Sequence, residues 1–161
     1  MEQALVSGIA HTTDEAKVTV SGVPDIPGIA SKILGPVGGK NIEVDMIVQN
    51  TGVDGMTDLT FTVKRQDFQP TLLLLEEVAK DIGAREVTGD NTIAKVSVVG
   101  VGMRSHAGVA TKVFDRLASE NINIQMISTS EIKISVVIAE RYVELAVRAL
   151  HDVFDLDAQP D

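Results

Sequence analysis

The chain writes one unit twice, and that duplication limits its fold more than any other feature. Lys17-Val18-Thr19-Val20-Ser21-Gly22-Val23 returns as Lys95-Val96-Ser97-Val98-Val99-Gly100-Val101, 78 residues on. Gly28-Ile29-Ala30-Ser31-Lys32-Ile33 returns as Gly108-Val109-Ala110-Thr111-Lys112-Val113 at a spacing of 80, as does Asn41–Ile47 in Asn121–Ile127. Leu59-Thr60-Phe61-Thr62-Val63 matches Ile134-Ser135-Val136-Val137-Ile138 at a spacing of 75. The drift falls where loops are expected, which is where insertions are tolerated. Within 161 residues this leaves room for two small modules of one kind.

Each copy alternates strand and helix signals. Val18, Val20 and Val23 precede a Pro/Gly break and predict a strand. Ile29, Ile33, Leu34 and Val37 recur at helical spacing over about 28–39, with Gly38-Gly39 as the expected C-cap. Asn41 to Gln49 alternates Ile42, Val44, Met46 and Val48 with polar residues, and Asp58 to Val63 predicts a further strand. Asp67 is placed to cap a helix that Gly83 stops, and Arg85–Thr88 is a short last strand. The order is βαββαβ, a ferredoxin-like α+β module with helices on one face of an antiparallel sheet. The second copy predicts strands at 95–101, 122–128 and 132–138 and helices at about 107–119 and 140–153. It then lacks a fourth strand, while Ala4–Ala10 is an unassigned apolar run. The expected solution inserts the first module (17–92) in the second (3–16 plus 93–154), followed by an acidic tail at 155–161; a strand exchanged between subunits is the alternative.

Composition narrows the function. With 14 Lys+Arg against 23 Asp+Glu, the net charge of −9 lacks the basic footprint of a nucleic-acid binder and disfavours an anionic membrane surface. No Cys is present, so disulfides, thiol catalysis and Cys-ligated metals are excluded. The first residues carry no basic n-region with an apolar stretch, and Leu72–Leu75 is the longest apolar run; a cytoplasmic protein is the expectation. His11, His106 and His151 have no metal-site spacing, so no metal site is expected. Gly35–Asn41 departs from a P-loop in spacing and in the residue after Lys40, and Gly100-Val101-Gly102 lacks the third glycine of a dinucleotide fingerprint. No catalytic residue is assigned.

Binding is better supported. In each copy a Gly-containing loop, Pro24–Gly28 or Gly102–Gly108, leads into a helix whose N-terminal N–H groups and dipole suit a carboxylate. The neighbouring strand offers Glu43, Asp45 and Gln49, or Asn123 and Gln125, as acceptors for an ammonium group. Together these fit a free amino acid.

The motifs Asp25-Ile26-Pro27-Gly28-Ile29-Ala30, Asn41–Asn50 and Thr57–Val63, with Lys95–Met103, Ser105–Ala110 and Ile127–Ser135, resemble tandem ACT domains of the aspartate kinase regulatory region. The resemblance covers about residues 3–154, and Ser128-Thr129-Ser130-Glu131-Ile132 is its most specific segment. It implies a non-catalytic regulatory subunit or region of aspartate kinase, the phosphotransferase acting on the aspartate carboxylate. It further implies that lysine, threonine or both act as effectors, conveying feedback in the biosynthesis of lysine, threonine and methionine. The implied effector residues are Asp25, Ile26, Pro27, Gly28, Ile29, Ala30, Glu43, Val44, Asp45 and Gln49 in the first module. In the second they are Ser105, His106, Ala107, Gly108, Val109, Asn123, Ile124, Gln125 and Thr129. The implied partners are an aspartate kinase catalytic domain or alpha subunit and a second copy of the chain, paired through ACT modules. The competing reading is an ACT module that mediates oligomerisation with no bound effector.

Overall fold

A computed structural model describes residues 5–52, 54–102 and 107–156. The strands are β1 (Leu5–Thr12), β2 (Glu15–Pro24), β3 (Val44–Thr51), β4 (Met56–Lys64), β5 (Glu86–Asp90), β6 (Ile93–Val101), β7 (Met126–Thr129) and β8 (Lys133–Ala139). The helices are α1 (Ile29–Gly39), α2 (Phe68–Ile82), α3 (Ala107–Ser119) and α4 (Val143–Val153). One sheet runs β3-β4-β2-β5 and the other β7-β8-β6-β1, with every neighbouring pair antiparallel. The strand missing from the second copy is therefore β1, which pairs with β6 of its own chain from Leu5↔Val101 to Thr12↔Lys95. Asp14–Asn91 forms one compact unit, and the segment ending at Thr13 joins the segment beginning at Thr92 in the other. The expected fold class holds: two ferredoxin-like modules, the first lying within the second. Glu15 and Ala16, grouped by the sequence reading with the second module, instead pair with Lys64 and Val63 in the first.

Corresponding residues build the two cores. Val18, Val20, Leu59 and Phe61 meet Ile33 and Val37 of α1 and Leu75 of α2. Val96, Val98, Ile134 and Val136 meet Val113 and Leu117 of α3 and Leu150 of α4. Both helices of each unit thus cover the same sheet face, the one lined by these alternate strand residues. On the opposite face the two central strands of each sheet are tied by a hydroxyl pair at the same repeat position. Thr19 and Thr60 Oγ1 lie 2.9 Å apart, and Ser97 and Ser135 Oγ 2.7 Å apart.

Three local expectations are corrected. Gly38-Gly39 does not cap α1: both glycines belong to the helix, and Asn41 takes the left-handed turn at φ 59°. Asn121 repeats it at φ 60° after α3. In each case the Asn N–H reaches the carbonyl three residues back (Gly38, Ala118), and the following buried Ile reaches the one five back (Val37, Leu117). That is a Schellman closure, with the Ile packed on the last helical turn. Asp67 precedes α2 without a side-chain cap; its carbonyl instead accepts from Thr71 Oγ1 at 2.6 Å. The strands expected from Asn41 and from residue 122 begin later, at Val44 and Met126, because the Schellman turns consume the residues before them.

Deleting residues 1–10 should unravel the edge of the second sheet and uncover Val6 and Ile9, which pack on its core. Burying a large aliphatic side chain contributes roughly 1.5–3 kcal/mol, so a melting temperature lowered by many degrees is expected in a thermal scan. Asn121→Gly should hold or raise the denaturant midpoint, whereas Asn121→Val should cost about 1–2 kcal/mol for the left-handed conformation.

Candidate functional site

The best-organised loop lies between β2 and α1. β2 reaches it through a bulge between Val20 and Val23. There Gly22 turns at φ 67°, donates its N–H to Asp58 Oδ1 at 2.9 Å, and leaves no room for a Cβ beneath Arg85. Pro24 carbonyl accepts from Ile26 N–H (3.0 Å), and Ile26 carbonyl accepts from Ile29 N–H (3.2 Å), so the loop is a tight double turn. Asp25 N–H donates to Gly55 carbonyl at 3.0 Å, which fastens the loop to the β3–β4 hairpin. The hairpin is closed in turn by Gly52 N–H to Met56 carbonyl and Met56 N–H to Asp54 Oδ1.

Gly28 enters α1 at φ 88° and offers no side chain, so no side-chain hydrogen bond caps this helix. The first-turn N–H groups have no acceptor within a helix by geometry, and they carry roughly half a positive charge together. Lys32 N–H goes to Gly28 carbonyl, but those of Ala30 and Ser31 have no partner among the described residues. The Asp25 carboxylate is exposed and likewise makes no hydrogen bond among the described residues. The site therefore presents unspent N–H donors and an unspent carboxylate on one short loop. That set is complementary to a zwitterion.

β3 supplies the adjoining wall, and here the strand differs from its sequence pattern. A bulge falls between Val44, opposite Val63, and Ile47, opposite Phe61. One extra residue in a strand exchanges its two faces. Ile42 and Val44 still pack on the core, but Met46 and Val48 turn to the opposite face, where Thr62 Oγ1 accepts from Met46 N–H at 3.0 Å. Ile47 and Gln49 stand beside Phe61 and Leu59 on the helix-bearing face, at the sheet's edge. Both are exposed there, Ile47 at 52 % and, on the loop, Ile26 at 48 %. Ile47 was not expected in the site, and strict alternation could not have found it.

The fold brings together Asp25, Ile26, Pro27, Gly28, Ile29, Ala30 and the Gln49 end of β3, since Pro24 pairs with Met56 and Thr51 with Thr57. It does not bring Glu43, Val44 and Asp45 to the loop within this unit. They sit at the other end of β3, roughly 20 Å along a strand that rises about 3.3 Å per residue. Glu43 there meets Lys64 at 3.4 Å in an exposed pair.

In the second unit the strand wall repeats the plan. Ile127 and Thr129 stand beside Val136 and Ile134 on the helix-bearing face and are exposed. Gly100 N–H donates to Ile132 carbonyl at 2.8 Å, extending the β6–β8 ladder to the start of the hairpin. Ala107 and Gly108 are exposed at the start of α3 and Val109 packs on the core, while Ser105 and His106 lie outside the described residues. Asn123, Ile124 and Gln125 precede β7 rather than forming part of it; Asn123 is exposed, Ile124 leans on the core, and Gln125 N–H donates to Val137 carbonyl. No cluster of metal-binding side chains occurs among the described residues, and no helix of the structure is long and apolar enough to cross a membrane.

Two sheets of this topology, with such a loop in the first, define a pair of ACT domains, and ACT-domain family models match residues 18–83 and 96–154. The regulatory subunit of aspartate kinase from Thermus thermophilus, solved in a ligand-free form, is 43 % identical. Its alignment covers 92 % of this chain and 98 % of that one, with a TM-score of 0.88. A structure of aspartokinase alpha and beta subunits contains a chain 57 % identical, aligned over 94 % of this chain and 99 % of that one, at a TM-score of 0.89. The chain belongs to the aspartate kinase regulatory family. An aspartate kinase of Pseudomonas fluorescens (strain SBW25) is 66 % identical over 158 residues; this chain spans 38 % of its length.

Asp25→Ala removes no described hydrogen bond, so its melting temperature should stay within about 2 °C of the parent, as for an ordinary surface change. A larger drop in calorimetry would show that the carboxylate is structural.

Proposed function

We propose that this chain senses lysine, threonine or both and transmits their binding to an aspartate kinase catalytic part, as the allosteric brake on the first phosphorylation of aspartate. The observation that carries the reading is the uncapped N-terminus of α1 beside the unspent Asp25 carboxylate, on a loop tied to its hairpin by the Asp25–Gly55 hydrogen bond. The α-carboxylate meets the Ala30 and Ser31 N–H groups, and the α-ammonium meets Asp25. Gln49, able to donate and accept, takes the effector's side-chain polar group, with Ile26 and Ile47 against its methylenes.

The exposed Ile47 and Ile127 lie on edge strands, surface that a second copy would cover. The chain is therefore a homodimer through ACT modules, with each effector held where modules of two copies pair. In that arrangement Glu43, Val44 and Asp45 serve a partner's site rather than their own loop. Feedback follows if the effector binds one quaternary state more tightly than another, since a ligand shifts an equilibrium only by its differential affinity.

Titration calorimetry on the whole chain tests this. Lysine or threonine should bind saturably, and Asp25→Ala or Gln49→Ala should weaken binding about ten- to hundredfold, the effect of losing one charge-assisted hydrogen bond. With the catalytic partner present, Asp25→Ala should leave activity intact and relieve inhibition. Absence of binding by either amino acid at millimolar concentration would leave the chain as an oligomerisation module.

A further inference from the structure

The two units fill the space between the fourth strand and the second helix in opposite ways. In the first unit Phe68 and Leu72 of α2 lie on Gly89 of β5. A Cβ at Gly89 would stand 2.6 Å from Phe68 Cε1 and 3.0 Å from Leu72 Cδ2, so the glycine is what admits the ring. The 75-residue repeat, which carries one 3-10 turn (Arg65–Asp67) onto the other (Glu140–Tyr142), carries Phe68 onto Val143 and Leu72 onto Val147. Strand register supplies the third member. Gly89 pairs with Val18, and the residue paired with the equivalent Val96 is His11.

The second unit has thus replaced Phe68, Leu72 and Gly89 by Val143, Val147 and His11. The helix has lost a ring and a methylene, and the strand ring does not refill the space. A cavity of about 290 Å³ remains, lined by His11, Val143, Glu144, Val147 and Arg148. None of His11, Glu144 and Arg148 makes a side-chain hydrogen bond or ion pair among the described residues, although Glu144 and Arg148 lie one helical turn apart.

We propose that this cavity is a second amino-acid site, selective for an α-amino acid with an apolar side chain of the size of phenylalanine or leucine. The side chain lies on Val143 and Val147 against the His11 ring, in the volume that Phe68 occupies in the sister unit. The carboxylate pairs with the Arg148 guanidinium and the ammonium with Glu144. Residues four apart on a helix hold their Cβ atoms about 5–6 Å apart, which suits the two charges of one zwitterion. The volume is at the small end of ligand sites, about 300–1,000 Å³. The site is separate from the Asp25 loop and stands whether or not that loop binds lysine or threonine.

Ligand-observed NMR and calorimetry with L-phenylalanine and L-leucine on the whole chain decide it. Saturable binding is expected, undiminished by lysine or threonine and unchanged in Asp25→Ala. Arg148→Gln, a surface change that spares the core, should weaken it by about tenfold or more. The pair His11→Gly with Val143→Phe transplants the first unit's own packing and should abolish binding. The proposal is overturned by no saturation up to about 10 mM, a range in which even weak sites fill. It is equally overturned if Arg148→Gln binds like the parent, or if binding disappears in Asp25→Ala.

Discussion

Everything in each unit hangs on a pair of central strands, β2 with β4 and β6 with β8, that must be satisfied on both faces at once. The helix-bearing face is apolar without interruption, from Val18 and Val20 to Leu59 and Phe61, and again from Val96 and Val98 to Ile134 and Val136. On the other face a hydroxyl faces a hydroxyl across the strands, so neither is left without a partner in a partly buried setting. Helices can therefore settle on one side only. The outer strands β3, β7, β5 and β1 are recruited by hydrogen bonds to this centre, and their exposed sides are left to carry binding chemistry.

The duplicated core was legible because it obeys simple periods. Val18-Thr19-Val20 and Val96-Ser97-Val98 alternate, and Ile33, Val37 and Leu75 recur at helical spacing. Even the displaced β1 could be placed, since one copy lacked a strand and the chain began with a spare. The failures are local. The β3 bulge turns Met46 and Val48 off the helix-bearing face and Ile47 and Gln49 onto it, and no alternation count can see an extra residue. Helix ends went astray for a different reason. Asn41 and Asn121 tolerate the left-handed conformation, so they end their helices where Gly38-Gly39 drew attention instead.

The candidate site was legible in its loop and less so in its strand. Asp25–Ala30 announces itself through Pro and Gly before a helix, and the structure adds the Gly55 tie that holds it. Glu43 and Asp45 share a strand with Gln49 but not its end, and one-dimensional proximity on an extended segment is a poor guide to meeting at a site. The cavity beside His11 had no signal of its own. It becomes visible only when the two copies are compared residue by residue, because a missing ring is an absence measured against its twin.

The insertion of one unit within the other also has a consequence for the order of folding. Asp14–Asn91 is continuous and contains every partner its four strands need. The other sheet must join β1 to β6 across about 80 residues, a long-range contact of the kind that slows folding. Pairing of Lys17 with Asp90 brings the two ends of the inner unit together. Once it has folded, the gap between Thr12 and Ile93 behaves as a short loop. Closing a few residues rather than about 80 lowers the entropic cost by roughly 2–3 kcal/mol. The inner unit is thus a clasp formed first, and on a ribosome it is complete before β8 and α4 have been made.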